Sequence, residues 1–182
     1  MILIRKLTLA DMHEAMVLKA LCWPEELAGL SDNQMNIEVE FKFWTEWMQR
    51  ADENNDMRIL YGAFENEKML GVIFASFVES RDEPEAGMEI NGLWVYKQHR
   101  KKGISLMLMD KVLDEFLELG SRKAIVYNFH NSSSNSYYRK LGFNVIDTEY
   151  QMRERLPVDI LACDMEFMKN TLQEKLTGEY YV

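Results

Sequence analysis

The sequence predicts a mixed α/β (α+β) protein in which helices flank a mostly antiparallel sheet, within one domain spanning residues 1–182. Two strand-like runs, "MRILYGAF" and "MLGVIFASFVE", are joined by the polar link "ENEK", which is typical of a β-hairpin. After Gly103 the spacing of apolar residues changes from every second residue to every third or fourth, so a helix follows a strand there. With 182 residues, 47% of them apolar, the chain is long enough to bury a substantial core.

One strand and two helices are predicted before the hairpin. The opening "ILIRKL" is strand-like, and Thr8 with Asp11 resembles a capping box that begins a helix extending to about Cys22. A second helix is predicted from about Gln34 to Ala51. Its apolar residues recur at spacings of four, three and four on one face, which Trp47 widens: Ile37, Phe41, Trp44 and Met48.

After the hairpin and the acidic loop "RDEPEAG", the segment "MEINGLWVY" is a third strand of the meander. The helix that follows Gly103 is expected to stop at Gly120, and "KAIVYNF" is a short strand. The segment "SSSNSYYRKL" is a short helix with Gly142 as its C-cap, and "FNVIDTEYQM" and "ILACDMEFM" are the last two strands. Four residues alternate for one buried face of the final strand: Leu161, Cys163, Met165 and Phe167. The predicted order is therefore β-α-α-β-β-β-α-β-α-β-β.

Composition limits the class of partner. The net charge of −9 argues against general nucleic-acid binding and fits a cationic small molecule or peptide better. No apolar run approaches the ~18 residues of a membrane span, and "MILIRKLTLAD" does not resemble a signal peptide. Cys22 and Cys163 lack metal-ligand spacing. We therefore expect a cytoplasmic protein with free buried thiols, no metal and no nucleic-acid or membrane partner, as a monomer or homodimer.

A cluster of cations contrasts with this acidic balance. Lys97, Arg100, Lys101 and Lys102 lie within six residues, and Gly103 follows them directly before a predicted helix. The first N–H groups of a helix lack internal acceptors and attract anions, while glycine permits close approach and a positive φ. The cluster could instead be a solvated surface or bind a nucleic-acid backbone or an acidic partner. Neither a Walker loop nor a dinucleotide fingerprint is present, so phosphate or pyrophosphate binding is predicted without a specific nucleotide.

Two motifs carry a resemblance to a known family. "RKKGIS", residues 100 to 105, resembles the [RQ]-x-x-G-x-[GA] turn of the GNAT acyltransferase superfamily, which binds the pyrophosphate of acetyl-coenzyme A. "NSSSNSYYRKLGF", residues 131 to 143, is similar to the family pattern N-x-x-A-x-x-[LF]-Y-x-x-x-G-F. Three positions differ from the family patterns: Ser105 stands where Gly or Ala is usual, Lys97 where Pro is common, and Ser134 where Ala is common. None of these differences removes a backbone donor.

The resemblance implies a GNAT-like N-acetyltransferase with acetyl-CoA as co-substrate. The acetyl group would pass to a primary amine by direct attack in a ternary complex, with neither a metal nor a cysteine intermediate. The residues expected to bind the coenzyme are Leu93, Val95, Arg100, Lys101, Lys102, Gly103, Ile104, Ser105, Asn131 and Tyr138. Asn131 is equally well interpreted as a cap of the following helix.

Tyr138 and Glu89 are the catalytic candidates. Tyr138 matches the motif tyrosine, which implies an acid near the coenzyme sulfur, whereas Tyr137 is expected to pack in the core. Glu89 lies eleven residues before Arg100, where several family members carry a base, and alternation places Asn91 on the same strand face. Tyr138 could instead only bond the coenzyme, and Glu89 could be an edge carboxylate. His13, His99 and His130 are assigned no catalytic role.

The acceptor is expected to be a cationic amine, because acidic and aromatic residues alternate in the segments that face acceptors in this family. Those residues are Trp23, Glu25, Glu26, Asp32, Glu38, Glu40, Trp44, Glu46 and Trp47, with Asp82, Glu83 and Glu85 in the acidic loop. The alternative is that the tryptophans form core and the acids are solvated. Two other functions stay open at this point: a non-catalytic acyl-CoA sensor of the same fold, and a module that binds nucleic acid or an acidic partner.

Overall fold

The computed structural model describes residues 1–27, 29, 31–54, 56–78, 87–151 and 156–178. The strands in these ranges are β1 (Leu3–Lys6), β2 (Arg58–Glu65), β3 (Lys68–Phe77), β4 (Met88–Val95), β5 (Lys123–Phe129), β6 (Asn144–Gln151) and β7 (Leu156–Asp164). The α-helices are α1 (Met12–Leu27), α2 (Ile37–Gln49), α3 (Ile104–Glu118), α4 (Asn135–Arg139) and α5 (Met165–Thr177).

All seven strands lie in one sheet in the order β1-β2-β3-β4-β5-β7-β6. Every neighbouring pair is antiparallel except β4 and β5, which confirms the mixed, mostly antiparallel sheet. The predicted hairpin is the β2–β3 pair. Its two-residue turn, Asn66 and Glu67, has φ of 50° and 64°, the left-handed conformation that tight hairpin turns require.

The helices cover both faces of the sheet. Alternate residues of β2 and β3 point to opposite faces: Tyr61 and Ile73 pack with α3 and α5, whereas Leu60 and Phe74 pack with α1 and α2. The predicted apolar face of α2 is confirmed, with Trp44 buried and its other members packed against the same core. No helix among the described residues has the length and apolar composition that crossing a membrane requires.

The first helix begins as predicted and ends later. A short 3₁₀ turn precedes α1, and the backbone N–H of Thr8 donates to the Asp11 carboxylate (2.7 Å), as in the expected capping box. Arg5 holds the same carboxylate through two hydrogen bonds of 2.8 Å. The helix continues through Pro24 to Leu27, five residues beyond the predicted end at Cys22.

The prediction for the C-terminal strand was wrong beyond Asp164. Leu161 and Cys163 are buried in β7 as expected, but Met165 begins α5 and Phe167 is 57% exposed. Asp164 caps this helix, because its carboxylate accepts a hydrogen bond from the Phe167 N–H (2.8 Å). The observed order is therefore the predicted one with a further helix at its end.

The sheet opens between β4 and β5. These parallel strands pair through only two positions, Met88 with Ala124 and Glu89 with Ile125. Beyond them β4 shifts its register against β3, so that Asn91 stands opposite no single residue of β3. The rest of β4 then diverges from β5, and the backbone at this split is left without a neighbouring strand on one side.

Candidate active site

A cavity of about 620 Å³ occupies the split between β4 and β5. Residues 90–95 of β4 and 126–128 of β5 line its walls, and α1, α3, α4 and α5 each contribute side chains. Its volume lies within the range of small-molecule and cofactor sites. Leu93 and Val95, which the sequence assigned to the coenzyme, both line it.

The turn before α3 has the geometry expected for an anion site. Gly103 is left-handed (φ 73°), as is Lys101 (φ 61°), and the helix begins directly afterwards at Ile104. A positive φ at a lysine costs energy and is found at functional turns more often than elsewhere. Lys101, Gly103, Ile104 and Ser105 line the cavity, so the unbonded N–H groups of the first helical turn lie at its wall. Lys102 is exposed and does not line it.

The Arg100 side chain contacts the protein itself. Its Nε donates to the Val95 carbonyl (2.9 Å), and its guanidinium forms an ion pair with Glu25 and lies 3.5 Å from the Cys22 sulfur. Arg100 therefore links the end of β4 to the last turns of α1. Cys22 lines the cavity, although no motif had marked it, and burial raises the pKa of its thiol.

The position of α4 is fixed by a buried asparagine. The Asn135 amide donates to the carbonyls of Phe129 (3.0 Å) and His130 (2.8 Å) and accepts from Asn128 (2.8 Å). Asn131, the residue of the family motif, is exposed and lies outside the cavity lining. It does not cap α4, whose N-cap position is Ser134.

Both tyrosines of α4 line the cavity. Tyr138 is buried, and burial raises the pKa of its phenol well above 10, with further increases from the neighbouring Tyr137 and Glu26. Tyr137 packs against the core as expected but also lines the cavity. Its hydroxyl lies near Ser105, and no hydrogen bond of good geometry is found for it among the described residues.

Glu89 lies at the last position where β4 pairs with β5, and it does not itself line the cavity. The side-chain amide of Asn91, which does, donates to the Glu89 carboxylate (3.1 Å). The amide oxygen of Asn91 is buried, with no hydrogen-bond partner in the described part of the chain. Asn91 therefore connects Glu89 to the cavity and offers one unused acceptor.

The comparisons with known proteins identify the family. Residues 20–143, more than half of the chain, match the model of the acetyltransferase (GNAT) family. The chain belongs to this family. It is therefore an acyltransferase, and its strand–turn–helix unit is the family's. No curated protein is similar enough in sequence to count as a relative.

Solved structures of N-acetyltransferases share the fold. An N-acetyltransferase from Staphylococcus aureus Mu50 has a TM-score of 0.67 at 22% identity, over 91% of this chain and 99% of that chain. The PaiA N-acetyltransferase from Thermoplasma acidophilum, in complex with coenzyme A, has a TM-score of 0.69 at 21% identity (90% and 99%). YncA from Salmonella typhimurium, with its cofactor acetyl-CoA, has a TM-score of 0.66 at 19% identity (91% and 94%).

Within this GNAT fold, the aromatic faces expected to bind a cationic acceptor are occupied by the protein's own cations. The Lys19 ammonium lies over the Trp44 ring (4.9 Å) and pairs with Glu40 (2.6 Å). Arg58 lies over Trp47 (4.7 Å). Trp44 is therefore a core residue and Trp47 packs against the same core, which agrees with the alternative interpretation for these two tryptophans. The acids Asp82, Glu83 and Glu85 lie outside the described residues.

Glu26 is the carboxylate whose importance the sequence did not reveal. It lies in the last turn of α1, lines the cavity and accepts a hydrogen bond from the Trp94 indole (2.5 Å). Burial raises the pKa of Glu26 above its usual value. Of the predicted acceptor-site acids that the structure describes, only Glu25 and Glu26 line the cavity, and Arg100 neutralises Glu25. The sequence signal was two adjacent glutamates at the end of a helix, which gave no indication that Glu26 is the less exposed of the two.

Proposed function

We propose that this GNAT enzyme transfers the acetyl group of acetyl-CoA to a primary amine of a small cationic molecule or peptide by direct attack in a ternary complex. One observation carries the proposal: the N-terminus of α3, the Tyr138 phenol and the half-buried Glu26 all line one cavity in the split sheet. Coenzyme A and acetyl-CoA in the similar structures support the choice of co-substrate. A single domain over residues 1–182 is part of this proposal, because β1 and β6 lie in the same sheet.

The pyrophosphate of the coenzyme would bind the N–H groups of the turn from Arg100 to Ser105, and Lys101 would add a positive charge. The pantetheine arm would then lie along Leu93 and Val95, where β4 has no strand beside it. Lys102 and Asn131 lie outside the cavity, so they would contact the coenzyme only where it leaves the cavity.

Acetyl transfer to an amine requires two proton movements. An ammonium with a pKa of ~10.4 must lose a proton, which costs about 4–5 kcal/mol at pH 7. The amine nitrogen then attacks the thioester carbonyl, the C–N bond forms and the C–S bond breaks. Tyr138 would donate its proton to the departing thiolate, since its raised pKa keeps the phenol protonated. Glu89 would accept the amine proton through a chain of water molecules, which the Asn91 amide would help to position.

The preference for a cationic acceptor now depends on Glu26 rather than on the tryptophans. A half-buried carboxylate that has lost part of its hydration gains from a cationic partner, and Lys19 compensates the desolvation of Glu26 only in part, because the pKa of Glu26 stays raised. An acceptor ammonium would provide the partner and would be held beside Tyr138. An anionic acceptor would meet repulsion at the same position.

A thiol-release assay with acetyl-CoA and a panel of amines tests the function. The panel should contain polyamines, aminosugars and basic peptides, with neutral amines and acidic amino acids as the contrast. We expect the highest kcat/KM for a cationic amine and loss of turnover in Tyr138→Phe. A best substrate with net negative charge would overturn the acceptor class, and no turnover with any amine would overturn the reaction.

A further inference from the structure

The helix α5 lies outside the segment that matches the family, yet it reaches the cavity. It begins beside the end of α3, because the Met165 N–H donates to the Arg122 carbonyl (2.9 Å). It then runs antiparallel to α3, since the Lys169 ammonium bonds both Asp110 (2.7 Å) and Asp114 (2.6 Å). This double ion pair fixes α5 along α3.

This antiparallel packing places Lys175 near the first residues of α3, at the end of the cavity where the pyrophosphate is proposed to bind. Lys175 lies six positions after Lys169, which is about 9 Å along a helix with ~1.5 Å rise per residue. Counting the same distance back from Asp110 along α3 leads to Ile104, the first residue of that helix. Lys175 accordingly lines the cavity together with the turn residues.

A second lysine comes from another element. Lys140, which follows α4, also lines the cavity. Neither Lys140 nor Lys175 forms an ion pair with a residue that the structure describes, in contrast to Lys169. Two ammonium groups thus lie at the cavity without a counterion among the described residues, in a chain whose net charge is −9.

We propose that Lys175, together with Lys140, binds the ribose 3′-phosphate of coenzyme A, an inference that rests on the proposed function. These two lysines would make the enzyme bind coenzyme A in preference to dephospho-coenzyme A. The N–H groups of the turn suffice for a pyrophosphate, but the coenzyme also carries this phosphomonoester, a compact dianion that suits ammonium groups. Without added cations, the acidic chain would repel a ligand of such high negative charge.

Calorimetry with coenzyme A and dephospho-coenzyme A, which differ only in the 3′-phosphate, measures this contribution directly. Wild-type protein should bind coenzyme A more tightly, and Lys175→Gln should lose about 3–10-fold of that affinity while binding dephospho-coenzyme A within twofold of wild type. Lys140→Gln should act in the same direction, and the double variant should bind both ligands almost equally. Lys175→Arg should retain the preference for coenzyme A, because it keeps the positive charge. In the wild type, this preference should become smaller as the salt concentration rises.

Lys68→Gln is the matched control, since Lys68 is exposed on β3 and does not line the cavity. It should leave both affinities unchanged. Equal binding of the two ligands by the wild type, or equal weakening of both by Lys175→Gln, would overturn the inference. Failure of the wild type to bind either ligand would instead count against the proposed function, so the two failures are distinguishable.

Discussion

At the scale of single residues, the buried Tyr138 and the half-buried Glu26, for which opposite functions are proposed, lie close together. Burial raises the pKa of both the Tyr138 phenol and the Glu26 carboxylate, and the charge of Glu26 contributes to the shift at Tyr138. A phenol with a raised pKa retains the proton that a leaving thiolate needs. A carboxylate with a raised pKa becomes charged only at higher pH than an ordinary glutamate.

Replacing Tyr138 by Phe should lower kcat by about 100-fold and leave the affinity for acetyl-CoA nearly unchanged, because only the proton donor is lost. Steady-state kinetics and calorimetry on the same preparation measure both. Tyr137→Phe is the matched control, since Tyr137 lines the same cavity from the preceding position and the change likewise removes one phenolic hydroxyl. A kcat for Tyr138→Phe within threefold of wild type, with chemistry limiting turnover, would make Tyr138 structural.

Glu26 should control the acidic side of the pH profile. As pH falls through its raised pKa, Glu26 becomes neutral and stops attracting the acceptor ammonium, so KM for the amine should rise. This rise should begin at higher pH than the usual glutamate value, ~4.3. Glu26→Gln should raise KM at neutral pH and remove its dependence on acidic pH. Glu38→Gln is the control, because Glu38 is exposed on α2.

At the scale of elements, the turn before α3 and the split between β4 and β5 together form the proposed coenzyme site. The turn depends on a left-handed Gly103 directly before a helix. The split depends on the short pairing of β4 with β5, which has only two residue pairs, and on a register shift in β4. The first feature is local in sequence, whereas the second joins strands that lie far apart along the chain.

Gly103→Asp should abolish detectable binding of acetyl-CoA, because it adds a side chain at positive φ and a negative charge beside the phosphates. Gly120→Asp controls for the backbone cost, since Gly120 is also left-handed (φ 86°) and a Cβ there would meet open space. Calorimetry should show normal affinity in Gly120→Asp. Normal affinity in a folded Gly103→Asp variant would contradict the assignment of the turn.

At the scale of the whole molecule, charge is distributed unevenly around the cavity. The chain carries a net charge of −9, yet four of the basic side chains that line the cavity are Arg100, Lys101, Lys140 and Lys175. The acidic side chains that line it, Glu25 and Glu26, both come from the end of α1. We therefore expect an anionic coenzyme and a cationic amine to be attracted to different elements of one cavity.

Raising the salt concentration should lower kcat/KM for the cationic acceptor, because the acidic surface no longer attracts it over distances beyond the Debye length, ~8 Å at physiological salt. The measurement is a salt series with a cationic and a neutral amine. The neutral amine should show a smaller decrease, which represents the effect of salt on the coenzyme alone. Equal salt dependence for both amines would exclude attraction of the acceptor by charge.

Features that depend on neighbouring residues were predicted from the sequence. The hairpin around Asn66 and the helix after Gly103 follow from local turn chemistry and apolar spacing, and the structure has both. The helix α5 was missed because Met165 continues the alternation of β7 by coincidence, and the cap at Asp164 ends the strand. Residue spacing does not distinguish these two conformations over so short a segment.

The sequence by itself determined the family, the order of all elements before α5 and the left-handed glycine turn before α3, because each is encoded in adjacent residues. Only the tertiary structure decided which carboxylates reach the cavity. The Lys19 ammonium lies over the ring of Trp44, twenty-five residues later in the chain. Glu26 accepts a hydrogen bond from the indole of Trp94, 68 residues later. Such contacts depend on how α1 packs against α2 and β4, and residue spacing along the chain does not predict this packing.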